Sequence, residues 1–343
     1  MRRRDRAGFT LIEVLIAVAI VAILAGAITP LVYREMMAAR EDATRAELAT
    51  LDDGLQDFFA DVGRLPTEGE GLAALVADPG IAGWDGPYVG GGGGIPTQEV
   101  ATDGFGNDYV YDLAPSTTPA GVADLLIVSG GSDHGLDAGV LNGLWDLDAT
   151  GDDLVLVVNL GARNRENERA AQRELETLAD AMRAYYAANA AFPATLNDLV
   201  GDYLDAGFNG EALVDPWQRG YVRIVDAGPP AVARLRSWGP DRADDGGGDD
   251  DLEVTVSSAP PGRETTLFKL EIAQAALNAQ PGLVLSGVWS GGDRAALGLD
   301  PVFDRDGWGR DFGINVGSRT VFSAGPDGNA GLTADNLPMG VGP

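Results

Sequence analysis

The sequence predicts an α+β protein in which a long N-terminal helix packs on a small antiparallel sheet and the resulting head unit is used three times. Three observations carry this. A 19-residue uncharged run, residues 14–32, passes directly into an amphipathic stretch of helical period. That stretch reappears 127 residues later, and once more in a degenerate form. Each copy is followed by the same two short motifs, with β-type apolar runs around them.

The first element opens on Gly8-Phe9-Thr10-Leu11-Ile12-Glu13, preceded by Arg2, Arg3, Arg4 and Arg6. A helix over the 19 uncharged residues is roughly 28 Å long, close to the hydrocarbon thickness of a bilayer. Glu13 stands just inside one end of it, where a charge is costly and needs a partner or a role. An ordinary secretory peptide would place its cleavage site after the apolar run, among small residues. Beyond Tyr33 the helix continues. Leu48, Leu51, Leu55, Phe58, Phe59 and Val62 recur at three-to-four spacing with Glu41, Asp42, Arg45, Asp52 and Asp57 between them. It should end near Gly63, because Gly63-Arg64-Leu65-Pro66-Thr67 cannot continue it.

The repeat aligns without a gap. Glu47, Leu48, Thr50, Leu51, the pair Phe58-Phe59 and Pro66 return as Glu174, Leu175, Thr177, Leu178, Tyr185-Tyr186 and Pro193. A third helix carries Leu267, Leu270, Ala273 and Leu277 before Pro281. Downstream of each comes an acidic-aromatic turn: Asp103-Gly104-Phe105-Gly106 with Tyr109, Asp215-Pro216-Trp217 with Tyr221, and Asp306-Gly307-Trp308-Gly309 with Phe312. Then comes Ser-x-Gly-x-Asp, as Ser129-Gly131-Asp133, Ser237-Gly239-Asp241 and Ser323-Gly325-Asp327. Residues 108–113, 125–128, 221–225 and 320–322 read as strands, and Pro260-Pro261-Gly262 reads as a linker.

Composition excludes several function classes. Lys+Arg 24 against Asp+Glu 52 gives a net charge of −28, a field that repels nucleic acid and anionic lipid and suits divalent cations or basic partners. With no cysteine there is no disulfide, thiolate metal site or cysteine nucleophile. The single His134 provides no histidine pair for a metal and makes a Ser-His-Asp triad a poor fit. The glycine run at residues 90–94 lacks the Lys-Ser/Thr of a phosphate loop and reads as a surface loop. The six tryptophans read as core residues of small heads, and no carboxylate pair is singled out for glycoside hydrolysis.

The acidic loops are the main chemical candidates. Ser-x-Gly-x-Asp is followed by Asp137 and, after an insertion, Asp152 and Asp153. In the second unit it is followed by Asp244, Asp245, Asp249, Asp250 and Asp251, and in the third by Asp335 and Asn336. Carboxylates alternating with glycines suit Ca²⁺, which takes six to eight oxygens in flexible geometry. A solvated acidic turn has the same composition.

The hexad with its basic leader and apolar tail resembles the N-terminus of type IV pilins and type II secretion pseudopilins, and Pro30 falls where those proteins often carry a helix-loosening proline. The downstream motifs resemble the head of the major pseudopilin, best at Asp215-Pro216-Trp217 and at Ser323-Ala324-Gly325-Pro326-Asp327-Gly328. Gln218 departs from that pattern, which has glycine there, and three tandem heads depart from its single one. The resemblance implies a pilin-like fold, with residues 1–8 as leader, 9–62 as transmembrane and amphipathic helix, 63–160 as first head, 161–261 as second and 262–343 as a degenerate third. It implies cleavage by prepilin peptidase between Gly8 and Phe9, methylation of Phe9, and pairing of Glu13 with the Phe9 amine of a neighbouring subunit. Removing the leader, which carries four Arg and one Asp, takes the net charge to about −31. The resemblance also implies Ca²⁺ held by Ser129, Asp133, Asp152 and Asp153, by Ser237, Asp241, Asp250 and Asp251, and by Ser323, Asp327 and Asp335.

The implied function is that of a structural subunit of a type II secretion pseudopilus or type IV pilus-like filament, and not an enzyme. Its partners are other pilin or pseudopilin subunits, prepilin peptidase and an inner-membrane assembly platform, with no nucleic acid. It would sit in the inner membrane as a single-pass protein, its heads periplasmic or extracellular. The alternative is a minor pilin or filament-tip module whose extra heads recognise a substrate or surface.

Overall fold

The computed structural model describes residues 11–90, 100–139, 143–205, 213–331 and 335–338. Gly8, Phe9 and Gly91 to Gly94 lie outside the described residues. The chain divides into two compact units, Met1–Ala162 and Arg163–Pro343. The fold is pilin-like α+β, a long N-terminal helix followed by small, mainly antiparallel sheets.

In the first unit, helix α1 (Leu11–Val62) is continuous for 52 residues with Pro30 inside it. All side chains from residue 11 to 36 are exposed, and the helix is long and apolar enough to cross a membrane. Thr44, Leu48, Leu51, Gly54, Leu55, Phe58, Phe59 and Val62 then form a buried stripe at the spacing of one helix face. Each fully buried leucine or phenylalanine of that stripe is worth about 1.5–3 kcal/mol against exposure. The helix stops at Gly63, whose N–H bonds the Phe59 carbonyl at 2.9 Å.

The head's sheet has the order β1 (Val110–Leu113), β3 (Leu125–Ser129), β5 (Leu154–Val158), all antiparallel. β3 is central and buried along its whole length. A short parallel pair joins β2 (Thr117–Thr118), between β1 and β3 in sequence, to β4 (Trp145–Asp146) in the insertion. Its Trp145 is buried and donates from Nε1 to Asp112 Oδ2 at 2.6 Å.

The second unit contains two helix-and-sheet assemblies. Helix α2 (Gly161–Asn189) buries Leu175, Leu178, Ala179 and Met182 with Tyr221 and with Leu235 and Val256 of a sheet ordered β6 (Val222–Asp226), β7 (Val232–Ser237), β8 (Leu252–Ser257). Helix α3 (Ala259–Ala279) packs Leu270, Ala273 and Leu277 with Trp289, Phe312, Ile314 and Val321 around the hairpin β9 (Gly313–Asn315), β10 (Thr320–Phe322).

Two features differ from the sequence reading. Pro260-Pro261-Gly262 is the first turn of α3 rather than a linker, because a missing proline N–H costs nothing where no intrahelical acceptor exists. Gly262 is there for close approach: a Cβ on it would lie 2.2 Å from Trp308 Nε1. A strand also follows the acidic loop, β5 after Asp152 and Asp153 and β8 after Asp250 and Asp251, where the sequence reading places none.

Candidate functional site

The two downstream motifs meet in space, and they do so in three places. Ser129 Oγ donates to Asp103 Oδ2 at 2.5 Å, Ser237 Oγ to Asp215 Oδ2 at 2.6 Å and Ser323 Oγ to Asp306 Oδ2 at 2.5 Å. The other carboxylate oxygen gathers the turn's own amides: Phe105 and Asn107 on Asp103, Trp217 and Arg219 on Asp215, Trp308 and Arg310 on Asp306. Each aspartate is nearly fully buried. Burial pushes the Asp215 and Asp306 carboxyls above the ordinary carboxylate value, opposed by the serine and amide hydrogen bonds.

The serine also holds the loop that follows it. Gly131, Gly239 and Gly325 N–H donate back to Ser129, Ser237 and Ser323 Oγ at 3.1–3.3 Å. These glycines have φ of 58°, 63° and 70°, and a Cβ on them would lie 2.4, 2.3 and 2.6 Å from the carbonyl oxygens of Asp152, Asp250 and Asp335. Only glycine lets the returning acidic segment come that close. Two residues on, Asp133, Asp241 and Asp327 Oδ1 accept from Gly135, Ala243 and Asn329 N–H, each at 2.7 Å.

Carboxylates converge in the first two loops. One oxygen each of Asp133, Asp137 and Asp152 lies within 4.8 Å of the others, and the same holds for Asp241, Asp245 and Asp250. Asp153, Asp250 and Asp251 each bury an Oδ1 with no hydrogen-bond partner among the described residues. The Asp251 side chain is 0% exposed. A buried carboxylate oxygen without a donor is costly, and a hydrogen-bond donor or a cation offsets that cost. Burial raises the Asp153 pKa, and desolvation plus the crowd of neighbouring carboxylates raises that of Asp245. Asp152 is held low, chiefly by the Ser132 hydroxyl at 2.6 Å. In the third loop Asp327 and Asp335 do not form such a group among the described residues, and residues 332–334 lie outside them.

The loops differ in one residue. Arg236, on β7, has a side chain 4% exposed and reaches Asp244 at 2.6 Å, Glu253 at 2.7 Å and Asp251 at 3.9 Å. The residues before Ser129 and Ser323 are Val128 and Phe322. The second loop therefore carries its own buried cation.

Of the residues expected to ligate, the aspartates of the first two loops lie together or beside the cluster, while the serine hydroxyls are engaged with the turn aspartates. A serine contributes to an ion there only through its second lone pair or its carbonyl. Asp137 and Asp245 complete the clusters and stand outside the ligand sets implied by resemblance; their place in the acidic runs was the available signal. Arg236 had none beyond being, with Arg234, one of two arginines in an otherwise mostly apolar run. Glu13 lies exposed in the first turn of α1. His134 touches Asn107 rather than an acidic cluster.

Comparison with known proteins converges on one class. Residues 31–140 match the family described as type II secretion system (T2SS), protein G, and residues 3–29 match the prokaryotic N-terminal methylation motif. The chain is 33% identical over 150 residues to type II secretion system core protein G of Pseudomonas aeruginosa, covering 40% of this chain and 97% of that one. It is 31% identical to that of Aeromonas hydrophila over 32% and 74% of the two chains, and 29% identical to that of Vibrio cholerae over 43% and 96%. No solved structure matches. The chain belongs to the type II secretion system protein G family, the pseudopilins, and its long apolar helix fits a single-pass inner-membrane anchor.

Proposed function

We propose that this chain is a non-enzymatic structural subunit of a type II secretion pseudopilus. The observation that carries the reading is α1. Its first 26 described residues, 11–36, bury nothing within the chain, while the next turns form the spine of a head. A helix built so is soluble neither in water nor in lipid as a whole. It is stored in the membrane and packed against copies of itself in a filament. Prepilin peptidase cuts between Gly8 and Phe9, Glu13 pairs with the Phe9 amine of the next subunit, and an inner-membrane platform drives assembly, with the heads periplasmic.

The same proposal takes the chain as three tandem heads. The recurring Ser–Asp bonds, the tight glycines and the Asp loop turns support this reading. Asp133, Asp137, Asp152 and Asp153 hold one Ca²⁺, and Asp241, Asp245, Asp250 and Asp251 a second. The unsatisfied buried carboxylate oxygens support that donor set. The ion supplies the positive charge that lets the loop close on its sheet.

Co-expression with prepilin peptidase tests the reading. Intact mass of the membrane-extracted chain should correspond to a start at methylated Phe9. A chain still beginning at Met1, or cut beyond the apolar run, contradicts it.

A further inference from the structure

Helix α1 leaves its apolar run at Val32 and buries its first residue in the head at Thr44. A rise of about 1.5 Å per residue leaves about 18 Å of helix between the two. This neck, residues 33–43, is largely exposed; it opens on Tyr33 and carries Arg34 and Arg40.

Neither arginine side chain makes a hydrogen bond or ion pair among the described residues. Helical spacing explains it. The residues three and four positions from each, among them Leu31, Met36, Met37 and Ala38, carry no charge. Arg45, the next basic residue, has acidic neighbours at those spacings and pairs with Glu41 at 2.5 Å and Asp42 at 3.8 Å. Two arginines against the single carboxylate of Glu35 leave residues 33–40 net positive, in a chain of net charge −28.

We propose that Arg34 and Arg40 bind lipid phosphates of the leaflet on the head side, so that residues 33–40 lie against its headgroups and hold the acidic head clear of the bilayer. This rests on reading α1 as a membrane anchor. Arg34 stands about 3 Å past Val32, inside a headgroup layer about 5–8 Å deep. Arg40 stands about 12 Å past it, and a helical side chain leans toward the helix N-terminus, which here is the membrane. Its long arm therefore returns to the phosphates, whose oxygens match the planar guanidinium fork. Tyr33 takes the place of an interfacial aromatic, its ring against the hydrocarbon and its hydroxyl in the headgroups. Two phosphate-bound arginines also offset the repulsion between an acidic head and an anionic leaflet.

The chain has no cysteine, so Ala39→Cys offers a single labelling site on the neck. The full chain, labelled there with a fluorophore, is reconstituted in vesicles of phosphatidylethanolamine and phosphatidylglycerol. Nitroxide attached to the lipid headgroups should quench the label, and aqueous iodide should reach it poorly. With Arg34→Gln and Arg40→Gln added, headgroup quenching should fall about twofold and iodide quenching should rise about twofold. Arg34→Lys with Arg40→Lys, which keeps both charges, should stay near the parent chain. Equal quenching in the parent and the glutamine variant overturns the proposal and leaves the anchor standing. A label at Leu24→Cys that iodide quenches freely overturns both, because α1 is then not inserted.

Discussion

Ser237 and Asp215, 22 positions apart, share a hydrogen bond of 2.6 Å and are buried to 0% and 2% exposure. This bond ties the acidic-aromatic turn to the strand that launches the acidic loop. Ser237→Ala leaves a buried carboxylate oxygen without its donor and should cost about 2 kcal/mol in urea denaturation of the full chain. Because burial raises the Asp215 pKa above its ordinary 3.8, the folded state binds that proton more tightly than the unfolded chain does. Its contribution to stability therefore falls as pH rises from about 4 through the raised value, and Asp215→Asn should remove that slope.

Isothermal titration of the chelator-stripped chain should show two Ca²⁺ sites. Asp153→Asn and Asp251→Asn should each leave one. Ca²⁺ should raise the melting temperature and EGTA should lower it. Since the Asp153 and Asp245 pKa values are raised and Ca²⁺ needs each carboxylate ionised, affinity should weaken as pH falls towards those raised values. A calcium-independent melting curve would rule out the ion.

Arg236 should make the second loop less dependent on a bound ion than the first. Arg236→Leu strands Asp244, Glu253 and Asp251 around an apolar side chain and should destabilise by about 3 kcal/mol. Added Ca²⁺ should recover more stability in this variant than in the parent chain. Equal recovery would show that Arg236 and the ion do not share a charge cluster.

The Arg64–Glu70 pair, at 2.6 and 2.8 Å, fixes the loop that leaves α1. The Arg64 hydrogen bond brings the Glu70 pKa down to about 2 from 4.5. A lowered carboxylate pKa stabilises above the unfolded value and loses that effect as pH falls through the folded one. Glu70→Gln should therefore cost about 1 kcal/mol at neutral pH, a figure discounted for solvent screening. The difference from the parent chain should close between about pH 4.5 and 2.

The helices were legible. The apolar run, the stripe from Leu48 to Val62 and its echo at Leu175 and Leu178 follow from helical period alone. Both motifs could be seen at each place, yet not that Asp103 bonds Ser129, since a separation of 26 positions gives no distance. β5 escaped because Leu-Val-Leu-Val-Val follows an insertion after its acidic loop, and β8 because Glu253 and Thr255 interrupt it. Pro260-Pro261 mimics a linker because a helix's first turn tolerates what its interior rejects. Arg236 was invisible because its partners Asp244 and Glu253 stand 8 and 17 positions away, and sequence separation gives no distance.

The proposed pairing of Glu13 ties α1 to assembly. Glu13→Ala should leave the heads' melting unchanged while reducing incorporation into filaments, read by comparing sheared filament and membrane fractions. Normal incorporation would remove the proposed pairing with the Phe9 amine.

Immunogold labelling of pseudopili with an antibody against the 163–343 unit tests the central claim most directly. A structural subunit carrying three heads predicts label repeated along the filament. Filaments without label, or with label at one end only, would contradict it.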